Sequence, residues 1–208
     1  GGKSDNEIKS LCDNIVKFFI HQNCKAIVIA CNTASAKSVQ FLRRKYPNII
    51  FIAIEPAYKM VHDYSYNSKT LVMATKGTIE SEKFNLLYHK YDNHKTILLP
   101  CIGLADIIED GKTTEIRKYL RTHLEKYKGN VETVVLGCTH YPLIQNLIED
   151  VLGQVTFYNG APYLAMHLKD VLHENNLLND SVSNGNIYFI DSTYNKLKEE
   201  KFFKILKT

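Results

Sequence analysis

The feature that most constrains this chain is an alternation. Short runs of branched apolar residues take turns with longer stretches whose apolar residues recur every three or four positions. "KAIVIAC", "IIFIAIEP", "KTLVMAT", "KTILLPC", "VETVVLGCTH", "VTFY" and "NIYFID" read as strands. "SDNEIKSLCDNIVKFFIHQNC", "ASAKSVQFLRRKYP", "IESEKFNLLYHKY", "TTEIRKYLRTHLEKY", "YPLIQNLIEDVL", "APYLAMHLKDVLHENNL" and "NKLKEEKFFKIL" read as helices. In the first helix Ser4 is placed to cap, with Glu7 three residues on, while Ile8, Leu11, Ile15, Phe18 and Phe19 follow at helical spacing. Pro47 stops the second helix, and Pro142 opens the one that follows "LGCTH". Strands separated by helices of this length argue for βαβ units, so the expected fold class is α/β, with parallel sheets flanked by helices.

A chain of 208 residues can hold one large α/β domain or two small ones. Its 45% hydrophobic and 23% charged residues are those of a globular protein. The net charge of +4 is spread over segments such as "FLRRKYP" and "KLKEEKFFK", where cations mix with acids or aromatics, so no nucleic-acid partner is expected. No apolar run approaches the roughly 18 residues of a membrane helix. No signal peptide opens the chain, and the expected location is the cytoplasm. The five cysteines (Cys12, Cys24, Cys31, Cys101, Cys138) are odd in number and contain no Cys-x-x-Cys pair. Neither a disulfide framework nor a zinc ribbon is suggested, and most of the thiols read as small buried hydrophobes.

Two of them stand apart. "IVIACNT" and "VVLGCTH" both pass from branched apolar residues through a small residue to a cysteine, and then to side chains that form hydrogen bonds. Cys31 and Cys138 thus fall at the C-terminal ends of predicted parallel strands, where open α/β sheets place their ligands. Packing is the ordinary role of one such cysteine, but the repeat of the pattern favours chemistry. Structural zinc is disfavoured because two thiols and His140 lack compact spacing, so no metal is expected. A Cys-His nucleophile remains open, with Cys138 and His140 separated by a single residue. So does a symmetric use of both thiols, in which one takes a proton from one face of a carbon and the other delivers a proton to the opposite face.

At these residues the chain resembles the glutamate racemases of the aspartate/glutamate racemase superfamily. The resemblance runs in order through "ACNTASA", "IEPA", "ATKGTIES", "LPC" with "IIEDG", and "LGCTHYPLI", and covers nearly the whole chain. Related aspartate racemases usually carry Glu at the position of His140, which favours glutamate as the small-molecule substrate. The resemblance implies two similar lobes with the active site in the cleft between them, residues 1–57 plus 159–208 forming one and 58–158 the other. It implies interconversion of L- and D-glutamate without a cofactor, in the supply of D-glutamate for peptidoglycan. Cys31 and Cys138 are then the acid/base thiols, with His140 assisting Cys138. Gly1, Asn32, Thr33, Thr75, Thr139 and His140 are the implied substrate-binding positions, and Glu109 sits near a family acidic residue close to the site. Such enzymes often dimerise, which leaves a homodimer open. An aspartate racemase and an inactive amino-acid-binding fragment are the alternatives.

Two departures from the family matter to the reading. Relatives begin with a strand ending in Asp-Ser-Gly and later carry Pro-Tyr-Gly, whereas this sequence starts at "GGKS", which makes Gly1 the glycine of that second motif. The expectation is a racemase chain short of one strand-helix unit and its carboxylate. "GGKS" also resembles the end of a phosphate-binding loop, but it lacks the upstream strand and the first glycine. Near "FYNGAPYLA", Asn159 and Gly160 stand where relatives have an acidic residue and Ser, which reads as a changed helix cap.

Overall fold

The first helix, α1 (Asp5–His21), starts where the sequence says it should. Ser4 Oγ accepts the Glu7 backbone N–H at 3.4 Å, and the Glu7 carboxylate accepts the Ser4 N–H at 2.8 Å, closing a reciprocal capping box. The computed structural model describes residues 3–179, 181 and 185–206. Two compact units divide the chain, one ending at Leu177 and the other starting at Leu178.

In the first unit β1 (Ala26–Ile29), α2 (Asn32–Lys45) and β2 (Ile50–Ala53) follow α1, and β1 pairs parallel with β2 with Ile27 opposite Phe51. The chain continues through α3 (Tyr58–Tyr64), β3 (Thr70–Ala74), α4 (Lys76–Ile79), α5 (Glu82–Tyr91), β4 (Thr96–Pro100), α6 (Leu104–Glu109) and α7 (Thr113–Leu124). After a 3₁₀ turn at Glu125–Tyr127 come β5 (Thr133–Gly137), a second such turn at Tyr141–Ile144, α8 (Gln145–Leu152), β6 (Thr156–Asn159) and α9 (Ala161–Glu174). β3 to β6 form one parallel sheet in the order β4-β3-β5-β6. Every residue of β3 and β5 is buried, which explains why "TLVMA" and "TVVLG" show no polar alternation. Their one polar pair, Thr70 and Thr133, lies in register and joins hydroxyls at 2.6 Å. The connection from β4 to β5 passes back over β3, so the strand order reverses between β3 and β5. A crevice opens outside their carboxyl ends, and such a switch point is where α/β sheets bind ligands.

Several expectations are revised. The helix expected over 79–91 is split, because Ser81 Oγ accepts the Phe84 N–H at 3.2 Å and restarts the chain as α5. The short helices α3 and α6 were not foreseen. On α1, Ile8 and Val16 are buried, but Leu11, Ile15 and Phe18 remain exposed, so only part of the apolar stripe meets the core. In the second unit α10 (Lys196–Ile205) forms as expected, capped by Asn195. Residues 186–191, expected as a strand, are not one. A strand requires a ladder of backbone hydrogen bonds, and here Ile187, Tyr188 and Ile190 stay exposed.

Asp13 ties α1 to the end of α2. Its carboxylate accepts from Lys45 Nζ at 2.7 Å, from Lys17 Nζ at 2.9 Å and from the Tyr46 hydroxyl at 2.8 Å. The Lys45 and Lys17 ammonium groups hold the Asp13 carboxyl well below the usual carboxylate range. A carboxyl whose folded-state pKa is depressed stabilises the fold above its unfolded value of about 3.9, and loses that contribution as the pH falls through the folded value. Asp13→Asn is therefore expected to lower Tm at pH 7, and the gap to the parent chain should close on acidification below about pH 4. A gap independent of pH in thermal melts would count against the ion pairs.

The changed cap at "FYNGAPYLA" has a steric origin. A Cβ on Gly160 would lie 2.6 Å from the Glu55 carbonyl oxygen, so the start of α9 lies against the segment that follows β2 with no room for a side chain. Asn159 supplies the missing cap from one residue earlier, its Oδ1 accepting the Ala161 N–H at 3.1 Å. No helix among the described residues is long and apolar enough to cross a membrane.

Candidate functional site

Two strands, one in each sheet, end at thiols that share a cavity. Cys31 follows β1 and is the N-cap residue of α2, yet its side chain makes no capping hydrogen bond and remains exposed. Cys138 directly follows β5 and is 8% exposed. Gly137 lets β5 close against β3 at this point, since a Cβ there would meet the Ala74 Cβ at 2.8 Å. Cys31 and Cys138 line one cavity of about 350 Å³, together with Asn32, Thr33, Thr75, Thr139 and His140. A second cavity of about 340 Å³, lined by Arg43, Glu55, Lys83 and His167 among others, is as large but holds no thiol. Chemistry rather than volume distinguishes the two.

Burial pushes the Cys138 thiol up; the His140 backbone N–H opposes this, and the proximity of Cys31 adds to it. The Cys138 Sγ lies 3.8 Å from His140 Nδ1, and His140 Nε2 lies 3.6 Å from Glu109 Oε2. The arrangement Cys138–His140–Glu109 can move a proton off or onto the sulfur, because the carboxylate favours a proton on Nε2 and leaves Nδ1 as an acceptor. α6 brings Glu109 and Asp106 to the cavity, which Lys3 also lines. Cys101 differs: it is buried, its backbone carbonyl accepts the Tyr141 hydroxyl at 3.4 Å, and burial pushes its thiol up to about 12, which suits a packing role.

The remaining polar groups are hydroxyls and one amide. Thr33 Oγ1, in the first turn of α2, lies 2.8 Å from Thr75 Oγ1, which caps α4 at the end of β3. Thr78 Oγ1 lies 3.2 Å from Thr33 Oγ1 and 3.0 Å from Thr75 Oγ1. Asn32 is 5% exposed, and its Oδ1 is the one buried side-chain oxygen or nitrogen among the described residues without a hydrogen-bond partner. An unpaired buried acceptor costs on the order of 1–3 kcal/mol, a cost that a ligand N–H would remove.

Of the residues expected from sequence, Cys31, Asn32, Thr33, Thr75, Cys138, Thr139 and His140 all line this cavity. Gly1 lies outside the described residues. Sequence reasoning did not select Lys3, Asp106 or Thr78 and gave Glu109 no assigned role, although the Thr-x-x-Thr spacing that follows β3 is a legible cap signal. Among the described residues no group of three His, Cys, Asp or Glu side chains could hold a metal ion.

The family model described as Asp/Glu/Hydantoin racemase matches residues 3–168. A glutamate racemase of Clostridium perfringens is 38% identical over 212 aligned positions, which span 100% of this chain and 80% of that protein. Among solved structures, glutamate racemase from Francisella tularensis in complex with D-glutamate superposes with a TM-score of 0.74 at 29% identity, covering 96% of this chain and 77% of that one. Escherichia coli glutamate racemase, in complex with L-glutamate and the activator UDP-MurNAc-Ala, gives 0.80 at 25% identity, covering 99% and 79%.

Proposed function

The chain belongs to the aspartate/glutamate/hydantoin racemase family, and from that premise we propose that it is an isomerase interconverting L- and D-glutamate, with Cys31 and Cys138 acting from opposite faces of the α-carbon. The observation that carries the reading is the pair of thiols, delivered by the ends of two separate sheets to one cavity whose lining includes Asn32, a residue with an unpartnered buried amide oxygen. In one direction Cys31, as thiolate, takes the α-proton while Cys138 gives its thiol proton to the opposite face. In the other the roles exchange, with His140 accepting the Cys138 proton as that thiol becomes the base.

The α-proton of an amino acid is a very weak acid, so developing carbanion charge needs fixed donors in a site that excludes water. Asn32 Oδ1 has the position and the free lone pairs to accept from the substrate ammonium. The hydroxyls of Thr33, Thr75 and Thr139, together with the N-terminus of the 14-residue helix α2, are donors suited to carboxylates. D-Glutamate formed in this way serves peptidoglycan assembly.

The test is α-proton exchange of L- and D-glutamate in D₂O, followed by proton NMR with aspartate as control. Exchange from both glutamate enantiomers is expected, and exchange favouring aspartate would replace the substrate. A covalent acyl adduct on Cys138 without exchange would replace the reaction by a thiol hydrolase.

A further inference from the structure

Thr78 does not line the catalytic cavity, yet it is 1% exposed and its hydroxyl contacts both of the cavity-lining hydroxyls that face it. We propose that Thr78 is a positioning residue for glutamate binding, whose buried hydroxyl turns Thr33 and Thr75 into a directed chain of donors ending in the cavity. The proposal rests on the glutamate reading of that cavity.

Three hydroxyls stand in a ring, at 2.8 Å between Thr33 and Thr75, 3.0 Å between Thr75 and Thr78, and 3.2 Å between Thr78 and Thr33. Each hydroxyl has one proton and two lone pairs. With the cavity empty, cyclic donation uses all three protons inside the ring. Thr78 is shut off from solvent, so its proton goes to Thr33 or Thr75. The Thr78 backbone N–H also points at Thr75 Oγ1, at 3.2 Å, and takes up a lone pair there, leaving the Thr75 proton as the group with freedom to turn. When a carboxylate oxygen enters, the ring opens into a chain: Thr78 donates to one cavity hydroxyl, that one to the next, and the last to the carboxylate. Donation along such a chain is cooperative, because each bond polarises the next. Remove the Thr78 hydroxyl and the remaining pair, 2.8 Å apart, keeps a proton between its own oxygens with nothing behind it.

The ring also crosses between the two sheets, since Thr33 stands on α2 after β1 while Thr75 and Thr78 belong to the turn after β3. The donor chain therefore exists only when the two sheets are correctly juxtaposed.

The experiment measures glutamate binding by titration calorimetry, together with kcat, KM and Tm, for the parent chain, Thr78→Val and Thr78→Ser. Thr78→Val keeps the shape and removes the hydroxyl. It is expected to weaken glutamate binding by about tenfold and to raise KM by the same factor, with kcat within about twofold. Thr78→Ser is expected to restore binding to within about twofold of the parent. Parent-like binding by Thr78→Val, whatever its Tm, would overturn the proposal, as would equal weakening in Thr78→Val and Thr78→Ser. Should Thr78→Val not fold, Thr78→Ala against Thr78→Ser makes the same comparison. A parent chain that takes up no glutamate would sink the functional reading and this one with it, whereas tight parent binding unchanged in the variants would sink this one alone.

Discussion

Cys138→Ser is expected to slow α-proton exchange of glutamate by roughly 10²–10⁴-fold, the contribution typical of a positioned acid or base. The serine hydroxyl fits the space but is far too weak an acid to supply a usable anion at neutral pH. The loss should be unequal between enantiomers. From the enantiomer whose proton faces Cys138 the base is gone, and exchange falls by that factor. From the other enantiomer Cys31 still removes the proton and can return a solvent-derived deuteron, so exchange without inversion persists. Cys31→Ser should show the mirror pattern. Proton NMR in D₂O with each enantiomer reads this directly, and equal losses from both would refute the two-thiol assignment.

The sign of the pH dependence follows from burial. The Cys138 thiol is held above its ordinary value, so at neutral pH it is the protonated partner, ready to donate. Exchange that requires Cys138 as base should therefore keep rising with pH beyond about 8.5, where an ordinary thiol levels off. Exchange in which Cys138 donates should hold its level until the pH reaches that raised value, and decline only beyond it.

The second large effect is expected at His140. His140→Asn removes the acceptor 3.8 Å from the Cys138 sulfur, and exchange through Cys138 should fall on the order of 10²-fold. Glu109→Gln should cost only about two- to fivefold. Its carboxylate is 59% exposed at 3.6 Å from His140 Nε2, and ion pairs in such exposed settings contribute roughly 0.2–1 kcal/mol. Rates with each enantiomer, measured for both variants, check the ratio. Losses of equal size would mean that the imidazole works only together with its carboxylate partner, so that the ion pair is worth far more than its exposure implies.

The parts of the molecule legible in the sequence are those written in neighbouring residues. The Ser4–Glu7 capping box, the nearly continuous apolar runs of β3 and β5, and Pro142 at the start of its 3₁₀ turn each depend on contacts within a few positions, which local periodicity records. The placement of Cys31 and Cys138 at strand ends was legible for the same reason, because the end of an apolar run marks the end of a buried strand. Other features were hidden. α3 and α6 are too short, at 7 and 6 residues, to show a helical period. The single helix expected over 79–91 was divided by Ser81, a residue that reads equally well as a helix surface or a cap until its hydroxyl finds the Phe84 N–H.

What only the tertiary structure decided concerns groups far apart in the chain. The strand order β4-β3-β5-β6 sets Thr75 and Cys138 at the ends of adjacent strands, although they are more than sixty residues apart. The approach of Glu109 to His140, the ring of Thr33, Thr75 and Thr78, and the contact that forces glycine at position 160 arise where whole elements meet. Such contacts depend on the path of the backbone between them, and each residue's own neighbours carry no trace of it. The sequence by itself thus determined which elements form and which thiols stand at their ends. Packing of α2, which follows β1, against α4 and α5, which follow β3, determined that those ends share one cavity, because it fixes where the carboxyl ends of the two parallel sheets meet.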